Sequence, residues 1–158
     1  MAWSGPVRRK RGYMYRVRDL CPTVLLLEDA NFWTALVHDA LETLPEPHHV
    51  RLVCVEDGTA AMAALGEHEP ACAIIDICLP GPMNGLDVLE VIRRSSKPWV
   101  ARLPAAMFTT SPSGMDIARA KSLGIDRYIG KSFGLDSLPQ VQAAVRGFVL
   151  AVLERNHA

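Results

Sequence analysis

The run Cys72-Ala73-Ile74-Ile75-Asp76-Ile77-Cys78-Leu79-Pro80-Gly81-Pro82-Met83-Asn84-Gly85 decides the fold. A short, almost wholly apolar segment delivers one carboxylate, Asp76, to a loop rich in proline and glycine. An uninterrupted apolar run bounded by turn residues is the pattern of a strand covered on both faces of a parallel sheet, and ligands of such sheets sit beyond the carboxyl ends of the strands. Asp76 is therefore expected at the edge of a site. Past the loop, Asn84 is suited to cap a helix and Asp87, three residues on, to reach back to it, so a helix is predicted from 85 to about 95.

The same alternation recurs on either side. Residues 24–27 form an apolar run ending in Glu28-Asp29, after which Asn31 is expected to cap a helix reaching about Leu44, with Leu36, Val37, Ala40 and Leu41 on its inward stripe and Pro45 and Pro47 as its stop. A second strand, 51–55, closes in Glu56-Asp57-Gly58, read as a turn and helix cap, before a short alanine-rich helix over 59–65. Residues 105–108 make a fourth strand running into Thr109-Thr110-Ser111. A helix over 116–123 stops at Gly124, a fifth strand covers 127–129, Lys131-Ser132-Phe133 follows, and a last helix runs from about 138 to 154. Five strands alternating with five helices predict an α/β fold, a doubly wound parallel sheet with helices on both faces.

A chain of 158 residues suits one domain with a full hydrophobic core. The formal net charge of zero conceals an asymmetry, because residues 1–20 hold Arg8, Arg9, Lys10, Arg11, Arg16 and Arg18 against Asp19 alone, leaving the remainder acidic. Residues 1–20 are expected to be a mobile basic tail and 21–158 the domain. A basic stretch this short reads as solvated rather than as a nucleic-acid surface. The apolar run after it contains Pro22 and soon reaches Glu28-Asp29, so it is not a secretion signal, and no run is long enough to span a membrane. Cys21, Cys54, Cys72 and Cys78 form no C-x-x-C pair, three of them in or beside apolar strands where a buried thiol is expected; reduced thiols and a cytoplasmic location follow. The five histidines lack the spacing of a zinc site.

If the strands are parallel, Glu28, Asp29, Asp76, Thr109 and Lys131 end them along one edge. Three adjacent carboxylates repel one another unless a cation neutralises them. A hard divalent ion answers that need. Magnesium takes oxygen ligands and typically one or two carboxylates plus phosphate oxygens, which Asp29, Asp76 and a backbone carbonyl near Cys78 would suit. Lys131 adds a compact positive charge and Thr109 a hydroxyl for an oxyanion. The set suits a phosphoryl group on Asp76, whose transfer needs charge neutralisation and in-line positioning more than proton transfer.

Over residues 22–154 the chain resembles the receiver domain of two-component response regulators. The resemblance is carried by Leu25-Leu26-Leu27-Glu28-Asp29, Ile74-Ile75-Asp76-Ile77-Cys78-Leu79-Pro80, Asn84-Gly85-Leu86, Met107-Phe108-Thr109-Thr110 and Gly124-Ile125-Asp126-Arg127-Tyr128-Ile129-Gly130-Lys131. It implies strand order 2-1-3-4-5, Asp76 as phosphoacceptor, Glu28 and Asp29 as the acidic pocket, Thr109 as the hydroxyl switch, Tyr128 as the aromatic switch and Lys131 as the family's lysine. It also implies Mg2+ as cofactor and a sensor histidine kinase as partner. Phosphorylation in that family draws the hydroxyl toward the phosphate and turns the aromatic inward, remodelling the surface of the fourth helix, fifth strand and last helix. A narrower resemblance is to receivers that work with phytochrome-type sensor kinases.

Three departures stand out. The loop Gly81-Pro82-Met83-Asn84 is one residue longer than the common family pattern. Lys131 is followed by Ser132 where the family has proline after a cis bond; a cis Lys-Ser bond would cost about 3–4 kcal/mol, so the loop is either strained or re-routed. The two hydrolysis-rate positions, Cys78 and Ser111, carry no carboxylate or amide to orient water, so slow self-dephosphorylation is expected. The chain ends soon after the last helix, so output is expected through a protein target. Residues 148–153 are apolar all round, which predicts a homodimer through the fourth-helix, fifth-strand and last-helix face. Three other readings compete. A flavodoxin-like carrier needs a hydroxyl-rich phosphate loop where Glu28-Asp29 stands, and an aspartyl phosphatase a second acid where Cys78 stands. An unphosphorylated interaction module would have no use for the complete pocket.

Overall fold

Period-two alternation inside the buried strands sorts the core into two layers, one on each face of the sheet. The computed structural model describes residues 21–110, 113–134 and 136–157; the basic segment 1–20 and Ser111 lie outside them. The strands β1 (Thr23–Leu27), β2 (Arg51–Val55), β3 (Cys72–Ile75), β4 (Ala105–Thr109) and β5 (Arg127–Gly130) pair in parallel, in the order β2-β1-β3-β4-β5. On one face Val24, Leu26, Ile74 and Phe108 pack against α1 (Asn31–Glu42) and α6 (Leu138–His157). On the other, Leu25, Leu27, Ile75 and Met107 meet α2 (Gly58–His68), α3 (Gly85–Arg93), a single-turn α4 (Pro98–Ala101) and α5 (Gly114–Ser122). The expected doubly wound sheet is present, with six helices rather than five among the described residues. The additional turn starts at Pro98, whose fixed φ and missing N–H suit a first helical position.

Local chemistry explains where elements begin. Asn84 and Asp87 form the expected capping box, each side chain accepting from the other's backbone N–H at 3.0 Å. Asp57 caps α2 by accepting from the Ala60 amide at 2.8 Å, the structural role read for the second acidic pair. Asn31 is not the cap of α1. That position is Ala30, whose N–H donates to Glu28 Oε1 at 3.1 Å, so the turn closes one residue earlier around the acidic pocket. The start of α5 is also earlier than expected, because Ser113 and Asp116 form a second capping box. Gly124 follows α5 with φ +67°, a left-handed turn suited to glycine.

Two burial expectations are corrected. Cys54 and Cys78 are exposed, not buried, because β2 is an edge strand incompletely covered by helices and Cys78 lies past the end of β3; Cys72, in the centre of the sheet, is buried, and all four thiols are free. In α6, Phe148, Val149, Val152 and Leu153 are buried within the chain and Leu150 and Ala151 half-buried. Four of the six residues of the stretch thus find cover between α1 and the sheet.

The close approach of α3 to the end of β3 fixes the loop after Asp76. The Gly85 amide donates to the Ile77 carbonyl at 2.8 Å, and a Cβ on Gly85 would stand 1.9 Å from the Asp76 carbonyl oxygen. Backbone occupies that space, so a side chain fits only if strand and helix part. Gly85→Ala should destabilise the fold by about 1–3 kcal/mol, lowering the melting temperature by several degrees, while Gly66→Ala, where nothing lies within 4 Å, should leave it unchanged or slightly raised. Parallel thermal melts of the two variants check this.

Candidate functional site

Backbone bonds carry the ladder one residue past three strand ends. Glu28 donates to the Val55 carbonyl at 3.0 Å, Asp76 to Leu27 at 2.9 Å and Lys131 to Thr109 at 2.8 Å. The side chains read from the sequence as site residues thereby converge. Glu28, Asp76, Thr109 and Lys131 are all buried, while Asp29 is exposed at the rim. Carboxylate oxygens of Glu28, Asp29 and Asp76 all lie within 4.8 Å of one another. The Lys131 ammonium sits 2.5 Å from Glu28 Oε2 and 3.1 Å from Asp76 Oδ2.

Three carboxylates face one ammonium, which leaves an excess of negative charge when all are ionised. Glu28 registers the strain. Burial, with the charge of Asp76 adding, raises its carboxyl pKa, although the bond from Lys131 and the Ala30 amide pull the other way. Closely set oxygen donors of this kind suit a hard divalent ion. Cys78 donates its amide to Asp76 Oδ1 at 3.1 Å, so the backbone two residues on folds back against the carboxylate while the Cys78 side chain is exposed.

The remaining expected residues lie on β4 and β5. Thr109 ends β4 opposite Gly130, which offers no side chain to crowd it. Tyr128 is half-buried and donates its hydroxyl to the Asp116 carbonyl in the first turn of α5 at 3.1 Å. Among the described residues the cis peptide is Glu46–Pro47, and Lys131–Ser132 is not one. The loop after Lys131 is thus re-routed, passing through Gly134 at φ +130°.

An aromatic group at this site escaped sequence reasoning. Lys131 Nζ lies 4.9 Å from the Phe108 ring centroid and 5.5 Å from that of Trp33, and the two rings meet edge to face at 5.5 Å. Phe133 packs on Trp33 at 5.1 Å and stacks on Phe32 at 6.3 Å. A signal was available. Three of the chain's four phenylalanines fall within three residues of Asp29, Thr109 or Lys131.

Comparison with known proteins agrees with this geometry. Residues 24–143 match the model of the response regulator receiver domain. The chain is 32% identical over 134 residues to response regulator Rcp1 of Synechocystis, covering 80% of this chain and 88% of that one. It is 30% identical to a probable methanogenesis regulatory protein, FilR2, of Methanothrix harundinacea, covering 80% and 83%. Among solved structures, the Mn2+-bound form of Rcp1 superposes with a TM-score of 0.67 at 31% identity, covering 80% of this chain and 90% of that one. The phosphorylated cyanobacterial phytochrome response regulator RcpA superposes with a TM-score of 0.67 at 30% identity and the same coverage.

The buried triad makes a prediction that needs no ligand. Removing the ammonium strands two buried carboxylates, so Lys131→Met should cost about 3 kcal/mol or more in urea unfolding. Adding Glu28→Gln removes one of the stranded charges and should recover part of that loss, giving a coupling of about 1 kcal/mol or more. Strictly additive losses would show that the pair is not made in solution.

Proposed function

The chain belongs to the response regulator receiver domain family, and from that premise we propose that it accepts a phosphoryl group on Asp76 from a sensor histidine kinase, with Mg2+ as cofactor. The observation that carries the proposal is the buried Asp76 carboxylate, 3.1 Å from the Lys131 ammonium and beside the Glu28 and Asp29 oxygens. An Asp76 oxygen attacks phosphorus, the bond from phosphorus to the donor breaks, and the donor leaves with the electron pair. Asp29, Asp76 and the Cys78 backbone carbonyl would hold the magnesium ion, which when bound neutralises charge on the phosphoryl oxygens. Lys131 places its ammonium beside the same centre, and Thr109 offers its hydroxyl to a phosphoryl oxygen.

The switch follows from what Tyr128 holds. Its hydroxyl bond to Asp116 ties the ring to α5, and a Thr109 drawn toward the phosphoryl group frees space beside β5 for that ring. The α5–β5–α6 surface then changes, and a protein target reads it. Similarity to Rcp1 and to a phytochrome response regulator supports a phytochrome-type kinase as the donor, in the cytoplasm. On this reading the chain catalyses only its own phosphorylation and dephosphorylation.

Incubation with Mg2+ and acetyl phosphate should add one phosphoryl group to the wild type and none to Asp76→Asn, read by intact mass. Chelation of the metal should abolish the gain, and Asp29→Asn should lose the Mg2+-dependent stabilisation against unfolding, which for the wild type grows by about 1.4 kcal/mol for each tenfold increase of ion above its dissociation constant. No modification in any sample would favour an unphosphorylated interaction module. The mass of the assembly before and after modification tests whether the α5–β5–α6 face pairs two copies.

Cys78 and Ser111 also set an expectation for the reverse reaction. Neither offers a carboxylate or amide to orient attacking water, so the phosphorylated form should persist for minutes or longer once the donor is removed. Decay within seconds would contradict these assignments, and Cys78→Asn should shorten the lifetime.

A further inference from the structure

The loop from β5 to α6 carries Lys131 into the site, yet its regular anchors lie at its two ends. The Lys131 amide donates to Thr109 at 2.8 Å, and the Ser137 and Leu138 amides donate to the Gly134 carbonyl at 3.0 and 3.3 Å. Between them the Ser132 and Gly134 side of the loop is exposed. Phe133 is 70% exposed and Phe32 is 52% exposed, although each is a large apolar ring. Their placement has a structural consequence. Phe133 rests on Trp33 at 5.1 Å, Phe32 meets the same indole edge-on at 5.0 Å, and Trp33, only 5% exposed, stands 5.5 Å from the Lys131 ammonium. Phe108 closes the other side at 4.9 Å.

We propose that Phe133 is a positioning residue for the phosphorylation site, bracing Trp33 and the loop so that the Lys131 ammonium is held between the Trp33 and Phe108 rings and aimed at Asp76. The inference rests on the proposed phosphoryl transfer to Asp76. Lys131 reaches the site on a flexible four-carbon stem, and an ammonium near ring faces gains from their quadrupoles most where water is excluded. Two rings define the direction in which that gain is found. The indole must itself be fixed, and Phe133 and Phe32 both pack against it. Glu28 and Asp76 supply the attraction that draws the ammonium in; the rings restrict where it sits.

The test uses the full chain and the small donor acetyl phosphate with Mg2+, so that no partner protein can report a docking defect instead. Phe133→Ala should slow phosphoryl uptake about fivefold, the scale of one lost aromatic pair. Phe133→Tyr, which keeps the ring, should restore the rate, and Phe133→Leu, apolar without a ring, should not. In parallel, the Lys131 ε-methylene proton signals, held upfield by the two rings, should move toward the position of a solvated lysine in the Ala variant and return in the Tyr variant. Urea melts confirm that each variant is folded, as the exposure of Phe133 leads one to expect. An unchanged rate and unchanged Lys131 signals in Phe133→Ala overturn the proposal, as does an equal loss in the Ala, Leu and Tyr variants. If the wild type takes up no phosphoryl group, the parent reading fails instead, and the Lys131 signals alone still decide whether Phe133 braces the ammonium.

Discussion

A buried ammonium facing more than one carboxylate is the interaction on which this structure turns. Charges withdrawn from water are tolerated only when paired in good geometry, and removing one partner is far more costly than never burying the pair. Glu28 comes from the end of β1, Asp76 from the end of β3 and Lys131 from the end of β5. Those strands are not neighbours in sequence, and β5 reaches the group only because β4 lies between it and β3. The triad therefore exists only in the completed five-stranded order. A sheet with one strand misplaced would strand a charge in its apolar interior.

The surroundings of the triad raise the strength of its electrostatics. On one flank lie Trp33 and Phe108, on another the backbone folded back at Cys78, and the α3 N-terminus closes in at Gly85. At the rim Asp29 is exposed, as is Cys78. Such a site has a wall of low polarity and an acidic rim, and this asymmetry fits Glu28, deep on the walled side, having its carboxyl pKa raised mainly by burial.

How much of this could be read from the chain depended on the range of each interaction. The strands and the converging site residues were legible because buried parallel strands announce themselves as apolar runs and their last residues share an edge. The Asn84–Asp87 capping box was equally local. Ser113 and Asp116 have the same spacing, but in sequence Asp116 reads as the first residue of the helix, whereas it is the third, reaching back to a cap at Ser113. The cap of α1 was misplaced because Glu28, assigned wholly to the site, also binds the Ala30 amide. Cys54 was misjudged because composition does not distinguish an edge strand from a central one. The aromatic rings around Lys131 were missed for a different reason. They come from α1, β4 and the loop after β5, and nothing in the spacing of any one segment shows that they meet.

The helix α5 is attached differently from the rest of its layer. Ala120 is its buried residue, whereas α3 buries Leu86, Val88, Leu89 and Ile92. What holds α5 is largely polar. Arg119 bonds Asp87 at 2.9 Å and Glu90 at 2.7 Å on α3, Tyr128 bonds the Asp116 carbonyl, and Arg93 donates to the carbonyls of Leu123 and Gly124 beyond its end. Partly exposed ion pairs contribute about 1 kcal/mol or less each, and hydrogen bonds to backbone can be exchanged for water with little net loss. Apolar burial offers no such exchange. Asp87 also closes the capping box that starts α3, directly after the loop from Asp76. A displacement of that loop therefore reaches Arg119 through two bonds, and α5, with Ala120 as its buried residue, is held in place by apolar burial far less than α3 is.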